Sequence, residues 1–135
     1  MKLRVVWIGK TKSAPMAKLC EDYVARIRHF LPIEVSEGKE PKFGASDRIV
    51  ALDPRGKSWT SEGFAKFLQQ HMSSDPRRLT FVIGDYAGLP ESVKKEAEVM
   101  WSLSPLTFTH DLTRVLLLEQ IYRALAIIHN YPYSK

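Results

Sequence analysis

The feature that most constrains the fold is an apolar helical pattern between Asp111 and His129. Its apolar residues cover far more than one stripe of a helix: Leu112, Val115, Leu116, Leu117, Leu118, Ile121, Tyr122, Leu125, Ile127 and Ile128. A helix that is apolar on nearly all sides must be buried from more than one side. We therefore expect this helix to pack on a sheet and also against a second subunit.

Upstream of this helix, apolar β-branched runs alternate with segments of helical spacing. The runs predict strands at residues 3–8, 33–35, 48–52, 79–83 and 106–108, and the helical spacing predicts helices at about 15–30, 60–72 and 90–101. Such alternation predicts a single α/β domain over residues 1–135, with a parallel-type sheet covered by helices on both faces. Ligands of these sheets bind beyond the carboxyl ends of the strands, where loops 53–57, 84–88 and 109–111 are expected.

The composition is that of an ordinary globular protein, with 44% hydrophobic and 26% charged residues among 135. No apolar run approaches the roughly 20 residues that a membrane-spanning helix needs. The N-terminus lacks the apolar stretch and cleavage site of a signal peptide. The lone cysteine, Cys20, fits a reducing compartment. We therefore expect a cytoplasmic protein that does not interact with membranes.

The net charge of +5 is concentrated near the N-terminus. The first 30 residues contain seven Lys or Arg residues and only two acidic ones, while the rest of the chain is balanced. A basic first strand and helix would suit a polyanion, of which nucleic acid is the commonest in cells. A solvated basic surface explains the same charges equally well.

Known catalytic and metal-binding patterns find little support. The four histidines are scattered without metal-ligand spacing, and one cysteine cannot make a zinc site, so we expect no metal. The chain has no Gly-x-Ser-x-Gly motif, and Cys20 falls on the apolar side of its predicted helix. Gly84 and Gly88 follow a predicted buried strand, but their spacing matches neither a dinucleotide fingerprint nor a P-loop. A plain strand-to-helix turn is the better interpretation of these two glycines.

The polar strip of the last helix carries Glu119 and Arg123, four residues apart. Such a pair stabilises an isolated helix by roughly 0.2–0.5 kcal/mol. An arginine at an interface is also a strong donor to phosphate or to a developing anion. Tyr131, Tyr133 and Lys135 follow, a mixture that suits base stacking and phosphate contact. A docked C-terminus explains these tail residues equally well.

Several motifs resemble a known family. They are Leu103-Ser104-x-Leu106-Thr107, His110-x-Leu112-x-Arg114-Val115-Leu116-Leu117-x-Glu119-Gln120-Ile121-Tyr122-Arg123-Ala124, Pro132-Tyr133, Arg48-Ile49-Val50-x-Leu52-Asp53, Gly56-Lys57-x-Trp59, Ile83-Gly84 with Gly88-Leu89, and Lys2-Leu3 with Gly9-Lys10. Together they cover nearly the whole chain, and they resemble the ribosomal RNA large subunit methyltransferase H family of the SPOUT methyltransferases.

The resemblance implies a SPOUT fold with a C-terminal trefoil knot, a homodimer, and S-adenosyl-L-methionine held in the knot loops. The implied activity is methylation at N3 of a pseudouridine in 23S rRNA within the ribosome. The implied catalytic residues are Arg123, Tyr133 and Lys135. The implied cofactor-binding residues are Leu52, Gly84, Gly88, Leu103, Ser104, Pro105, Leu106, Thr107 and Phe108.

The chain departs from the family pattern at a few positions. Asp85 replaces a usual glycine, Ser134 replaces a usual histidine, Thr109 replaces a usual proline, and the segment 37–47 is short. The resemblance and these departures leave three hypotheses. The first is an active rRNA methyltransferase, which we favour. The second is a catalytically impaired relative that acts as a dimeric rRNA- or ribosome-binding protein. An unrelated α/β nucleotide-binding enzyme, the third possibility, fits the C-terminal motif poorly.

Overall fold

The computed structural model describes residues 2–39 and 41–133. Its strands are β1 (Leu3–Ile8), β2 (Ile33–Gly38), β3 (Asp47–Lys57), β4 (Arg78–Ile83) and β5 (Val99–Trp101). Its helices are α1 (Ala14–Ile27), α2 (Ser61–Ser74), α3 (Glu91–Glu96) and α4 (His110–Ile128). None of these helices is long and apolar enough to cross a membrane.

The strands form one sheet in the order β2-β1-β4-β3-β5, and every neighbouring pair is parallel. Val5 of β1 lies opposite Val35 of β2 on one side and Phe81 of β4 on the other. Nearly continuous apolar sequences suit such strands because both faces of the sheet are covered. The predicted parallel α/β sheet is confirmed.

The two faces of the sheet are covered unequally. Helices α1, α2 and α4 pack on the larger core, which includes Leu3, Phe81 and Val50 from the strands. The opposite face carries a smaller cluster in which Val93 of α3 packs with strand residues and with Phe43. Helices therefore lie on both faces, as predicted, but three of the four lie on one.

Helix α4 lies between α1 and α2 on the larger core. Its residues Leu117, Leu118, Ile121 and Leu125 have no solvent exposure. Thr109 caps the helix, since its side-chain oxygen accepts a hydrogen bond from the backbone N–H of Leu112 at 3.3 Å. The burial on several sides that the sequence predicts is thus supplied by the same chain. Burial alone gives no reason to require a second subunit.

The predictions between residues 90 and 108 are wrong in two respects. The helix that begins after Pro90 ends at Glu96 rather than near Trp101, and the fifth strand is Val99–Trp101 rather than 106–108. The strand forms because Trp101 is buried against Phe64, with ring centroids 4.4 Å apart, while Val99 pairs with Val50. Residues 102–109 are therefore free to form a loop at the carboxyl edge of the sheet.

Candidate functional site

A cavity of about 270 Å³ opens at the carboxyl ends of β3, β4 and β5. Its walls come from three segments: 52–54 inside β3, 83–89 from the end of β4 onward, and 101–108 from the end of β5 onward. The first turn of α4 closes one side through His110 and Thr113. This is the edge at which parallel α/β sheets bind their ligands.

The first wall exists because β3 changes register. Leu52 and Lys57 both lie opposite Trp101, so the residues between them bulge out of the sheet. Asp53 in this bulge accepts a hydrogen bond from the backbone N–H of Arg55 at 2.8 Å. Burial alone would raise the pKa of the Asp53 carboxyl, but the Arg55 backbone N–H and guanidinium outweigh it and lower the pKa. Asp53 therefore presents a carboxylate at the cavity.

The second wall is a tight turn after β4. A Cβ atom on Gly84 would lie only 2.6 Å from the carbonyl carbon of Gly88, and Gly88 itself has a φ of +85°. Both positions therefore favour glycine for steric reasons. The backbone N–H of Gly88 donates to the carbonyl of Asp85 at 2.8 Å, and the Asp85 side chain accepts from the N–H of Ala87 at 2.9 Å. Asp85 thus organises the turn that it belongs to.

The third wall is the loop that follows β5. The Ser102 hydroxyl donates to the carbonyl of Ser104, and the Ser104 hydroxyl accepts from the backbone N–H of Leu106, both at 3.0 Å. Trp101 also lines the cavity. Its buried indole N–H has no hydrogen-bond partner within residues 2–39 and 41–133. A buried donor without a partner is costly, so this atom is a candidate for bonding a ligand.

The structure brings eight of the nine predicted cofactor-binding residues around this one cavity: Leu52, Gly84, Gly88, Leu103, Ser104, Leu106, Thr107 and Phe108. Pro105 lies in the same loop but is exposed and does not line the cavity. Trp101 and His110 also line the cavity, although the sequence does not predict them as site residues. Correct placement of β5 would have identified Trp101, because it ends a parallel strand.

Two of the predicted catalytic residues, Arg123 of α4 and Tyr133 beyond its end, form a cluster with Glu119. The Arg123 guanidinium donates to the Glu119 carboxylate at 2.7 Å, and the Tyr133 hydroxyl donates to the same carboxylate oxygen at 2.9 Å. Arg123 also lies over the Tyr133 ring, 4.8 Å from its centroid. Burial and hydrogen bonds to Tyr23 and Glu119 raise the pKa of Tyr133. The hydrogen bond to Glu119 raises the pKa of Arg123, which stays a cation. Lys135 and Ser134 lie outside the described residues.

This cluster lies far from the cavity within one chain. His110 begins α4 at the cavity, and Arg123 follows thirteen residues later on the same helix. At about 1.5 Å per residue, the two backbones are roughly 20 Å apart along the helix axis. The structure therefore brings eight predicted cofactor residues together at one place and Arg123 and Tyr133 together at another.

No group of three or more His, Cys, Asp or Glu side chains within residues 2–39 and 41–133 is arranged to hold a metal ion. Cys20 is buried on α1, and burial raises the pKa of its thiol to about 11. Such a thiol stays protonated near neutral pH and is a poor nucleophile.

An all-parallel sheet with a loop-built cavity at its carboxyl edge is an architecture of nucleotide- and cofactor-binding enzymes. The family described as predicted SPOUT methyltransferase matches residues 1–134. A solved structure, a probable methylase family protein from Haemophilus influenzae Rd KW20, superposes with a TM-score of 0.64 at 9% identity, covering 98% of this chain and 70% of that one. These findings define the class as a SPOUT methyltransferase.

Curated relatives identify the family within this class. The ribosomal RNA large subunit methyltransferase H of Coprothermobacter proteolyticus is 39% identical over 139 residues, covering both chains completely. The protein of the same name from Geobacter sulfurreducens is 35% identical over 151 residues, covering 98% of this chain and 99% of the relative. The chain belongs to the ribosomal RNA large subunit methyltransferase H family.

Proposed function

We propose that the protein transfers a methyl group from S-adenosyl-L-methionine to N3 of a pseudouridine in 23S rRNA, with the ribosome as its substrate. The observation that carries this proposal is the cavity at the carboxyl edge, built by three loops from the residues that the family resemblance assigns to the cofactor. Membership of the methyltransferase family supplies the reaction class.

The residues around the cavity fit this cofactor. Leu52, Leu89 and Leu106 offer apolar walls for the adenine ring. The partnerless indole N–H of Trp101 offers a donor to a polar atom of the cofactor. Asp53 and Asp85 bring negative charge toward a ligand whose sulfonium and amino groups are cationic. When bound there, the cofactor supplies an electrophilic methyl group.

Arg123, Tyr133 and Lys135 are proposed to orient the target base and to stabilise the anion that forms when its N3–H loses a proton. Because the Arg123 backbone lies about 20 Å from the cavity along α4, a single chain cannot use both at once. We therefore propose a homodimer in which this cluster in one subunit faces the cofactor cavity of its partner. We also propose that this chain contains the C-terminal trefoil knot of the SPOUT fold.

The basic N-terminal segment is proposed to bind rRNA phosphates. Lys10 and Lys12 are exposed beside the first turn of α4, on the same edge of the sheet as the cavity. Affinity from such contacts falls as salt rises. An rRNA substrate places the enzyme in the cytoplasm, and nothing in its chemistry requires a metal or a membrane.

The second candidate is a catalytically impaired relative that binds rRNA or the ribosome as a dimer. It is favoured by Asp85, whose carboxylate borders the cavity where the family usually has glycine. If this carboxylate repelled the carboxylate of the cofactor, Asp85→Gly would restore binding. The replacement of the family's usual histidine by Ser134 also favours this candidate. Ser134 lies outside the described residues.

Calorimetry with S-adenosyl-L-methionine, followed by tritiated methyl transfer to ribosomes that lack the modification, separates the two candidates. We expect cofactor binding and one methyl group per ribosome at a pseudouridine N3. Cofactor binding without transfer would favour the impaired relative. Absence of cofactor binding in both the natural chain and Asp85→Gly would refute the cofactor assignment.

A subunit-mixing experiment tests the shared site. Thr107→Arg puts a cation at the mouth of the cofactor cavity on an exposed loop, and Arg123→Ala removes the proposed catalytic cation. Each variant alone should be inactive. Co-refolded in equal amounts, they should recover about a quarter of the natural activity, because half of the dimers are mixed and each mixed dimer keeps one intact site. No recovery would contradict a site shared between subunits.

A further inference from the structure

A second cavity, of about 460 Å³, lies next to the cofactor cavity. It opens between the loop after β1, the turn after β4 and the first turn of α4. The two cavities share three side chains, those of Asp85, Tyr86 and His110. Its volume falls within the roughly 300–1,000 Å³ of small-molecule sites. A ligand in the second cavity would therefore reach the same three residues as a ligand in the first.

The floor of this second cavity is held rigidly by α4. The Asp111 carboxylate accepts hydrogen bonds from the backbone N–H groups of Lys12 at 3.0 Å and Ser13 at 2.7 Å. The Arg114 guanidinium donates to the Thr11 hydroxyl at 2.7 Å, and its other terminal nitrogen donates to the carbonyls of Ile8 and Gly9, each at 3.2 Å. Side chains fixed in this way make a preformed site rather than one that closes on its ligand.

The polar groups around the second cavity suit a nucleotide. Arg114 is only 1% exposed, and its Nε–H has no hydrogen-bond partner in the described part of the chain. Such a donor matches the carbonyl oxygen of a pyrimidine. Tyr86 is 89% exposed, and an aromatic ring at the edge of a cavity offers a stacking face for a base. Lys10 and Lys12 stand exposed nearby and suit the phosphates on either side of that base.

We propose that this second cavity is the acceptor site, that it receives the target pyrimidine base, and that His110 takes the N3 proton of that base. The inference rests on the proposed function and deepens it. In the step, the N3–H bond breaks and its proton passes to the imidazole of His110. The N3 electron pair forms the new bond to the methyl carbon, and the sulfonium sulfur keeps the electron pair of the carbon–sulfur bond that breaks. His110 is exposed, so its proton then passes to water.

The other titratable groups that face this site suit proton acceptance less well. Lys10, Lys12 and Arg114 are cations that already hold their protons. The Asp111 carboxylate is engaged by two backbone N–H groups, and the Asp85 carboxylate by the N–H of Ala87. The Tyr86 phenol is chiefly a hydrogen-bond donor here, whereas imidazole is the side chain that most often serves enzymes as a general base. His110 also borders both cavities, so it lies where the methyl donor and the acceptor base must meet.

The first test measures single-turnover transfer to unmodified ribosomes at saturating cofactor, comparing His110→Ala with His29→Ala. His29 is exposed at the end of α1 and borders neither cavity. Loss of a general base should slow His110→Ala about a hundredfold or more. Added imidazole should raise the transfer rate of His110→Ala at least about tenfold and leave the transfer rate of His29→Ala unchanged.

The second test uses binding alone. Ribosome affinity is measured by cosedimentation with S-adenosylhomocysteine bound, so that no transfer can occur. Tyr86→Ala should weaken ribosome binding about tenfold through the lost stacking, and Tyr86→Phe should not. Light scattering on both variants reports whether the subunits stay associated.

The possible results separate this inference from the proposed function. A natural protein that binds the cofactor but methylates no ribosome overturns both. A natural protein that methylates while His110→Ala matches His29→Ala, or while imidazole restores nothing, overturns the inference alone. If Tyr86→Ala instead separates the subunits, the second cavity is a subunit contact, and its role as acceptor site is wrong.

Discussion

Two glycines hold backbones around the cofactor cavity closer together than any other residue would allow. A Cβ atom on Gly56 would lie 2.5 Å from the carbonyl carbon of Met100, and one on Gly84 would lie 2.6 Å from that of Gly88. Both obstacles are main-chain atoms, which cannot rotate away as a side chain can. Gly56 therefore sets how closely β3 approaches β5, and Gly84 sets how tightly the turn after β4 closes.

Gly84→Ala should lose both stability and cofactor binding. The added methyl group has to push the turn after β4 away from β4. We therefore expect the free energy of unfolding to fall by about 2 kcal/mol or more. Thermal denaturation and calorimetry with S-adenosyl-L-methionine measure the two effects. Gly44→Ala is the matched control, because no atom lies within 4 Å of the position that its added methyl group would take. Equal behaviour of the two variants would contradict the steric role of Gly84.

Arg123→Lys should reduce methyl transfer at least about a hundredfold while the fold stays intact. Lysine keeps the charge but loses the planar fork that donates twice to the Glu119 carboxylate, through Nε at 3.1 Å and a terminal nitrogen at 2.7 Å. The melting temperature and cofactor affinity, measured alongside turnover, should be close to those of the natural protein. Unchanged turnover would remove Arg123 from the catalytic residues.

Some site residues can be predicted from their own positions in the sequence, and others cannot. Gly84 could be placed in a loop at the carboxyl edge because it directly follows a predicted buried strand, but only the family resemblance implied that it contacts the cofactor. Arg114 looks like one more polar residue on an apolar helix. Its buried contacts with the carbonyls of Ile8 and Gly9 join residues more than 100 positions apart. The apolar periodicity of a sequence gives no information about contacts between residues so far apart in the chain.

At the scale of elements, the end of α2 is joined to the amino edge of the sheet through His71. This side chain is 1% exposed. Its Nδ1 lies 3.0 Å from a guanidinium nitrogen of Arg48, and its Nε2 lies 2.9 Å from the carbonyl of Arg77. Nε2 therefore carries the proton and donates, while Nδ1 accepts, which is the pattern of a neutral imidazole. Burial is the main cause that lowers the pKa of His71.

The stability of the protein should therefore fall in mild acid. A histidine whose pKa is lowered by folding binds its proton more readily in the unfolded chain, so its contribution is complete above about pH 6.5 and is lost as pH falls through the folded pKa. Melting temperatures should drop more steeply from pH 7 to pH 5 in the natural protein than in His71→Gln. His29→Gln, altered at an exposed position, should keep the natural slope. Parallel curves for all three would contradict this role of His71.

Sequence patterns predict the long elements well because their apolar periodicity extends over several turns or a whole strand. Helix α4 begins within one residue of the predicted start. β5 was misplaced because Val99–Trp101 is only three residues long and follows a helical pattern without a break. What makes it a strand is pairing with β3 and the burial of Trp101, and both depend on distant residues. The unequal covering of the two sheet faces could not be predicted either, because it also depends on contacts between distant residues.

At the scale of the whole molecule, the four lysines among the first 30 residues fall into two groups. Lys2 and Lys18 form ion pairs with Glu34 and Asp22, at 2.9 Å and 3.1 Å. Lys10 and Lys12 stand exposed beside the second cavity. The proposed contact with rRNA phosphates is therefore assigned to these two lysines.

Ribosome binding should weaken by at least about tenfold between 50 and 200 mM salt, because rRNA phosphates release counterions when lysines bind them. Replacing both Lys10 and Lys12 by alanine should lower the slope of log affinity against log salt by about two. Lys18→Ala is the control, because that lysine already pairs with Asp22 on the surface of α1. A slope that stays unchanged in the double variant would place the phosphate contacts elsewhere.

The central position of α4 also determines when the polypeptide can fold during its own synthesis. Leu117, Leu118, Ile121 and Leu125 fill the space between α1, α2 and the sheet, yet they are translated after every strand. Domains usually begin to fold while later residues are still being added. This chain cannot complete its larger core until α4 has left the ribosomal exit tunnel. Nascent chains that stall before residue 110 would therefore expose apolar surface to chaperones and proteases.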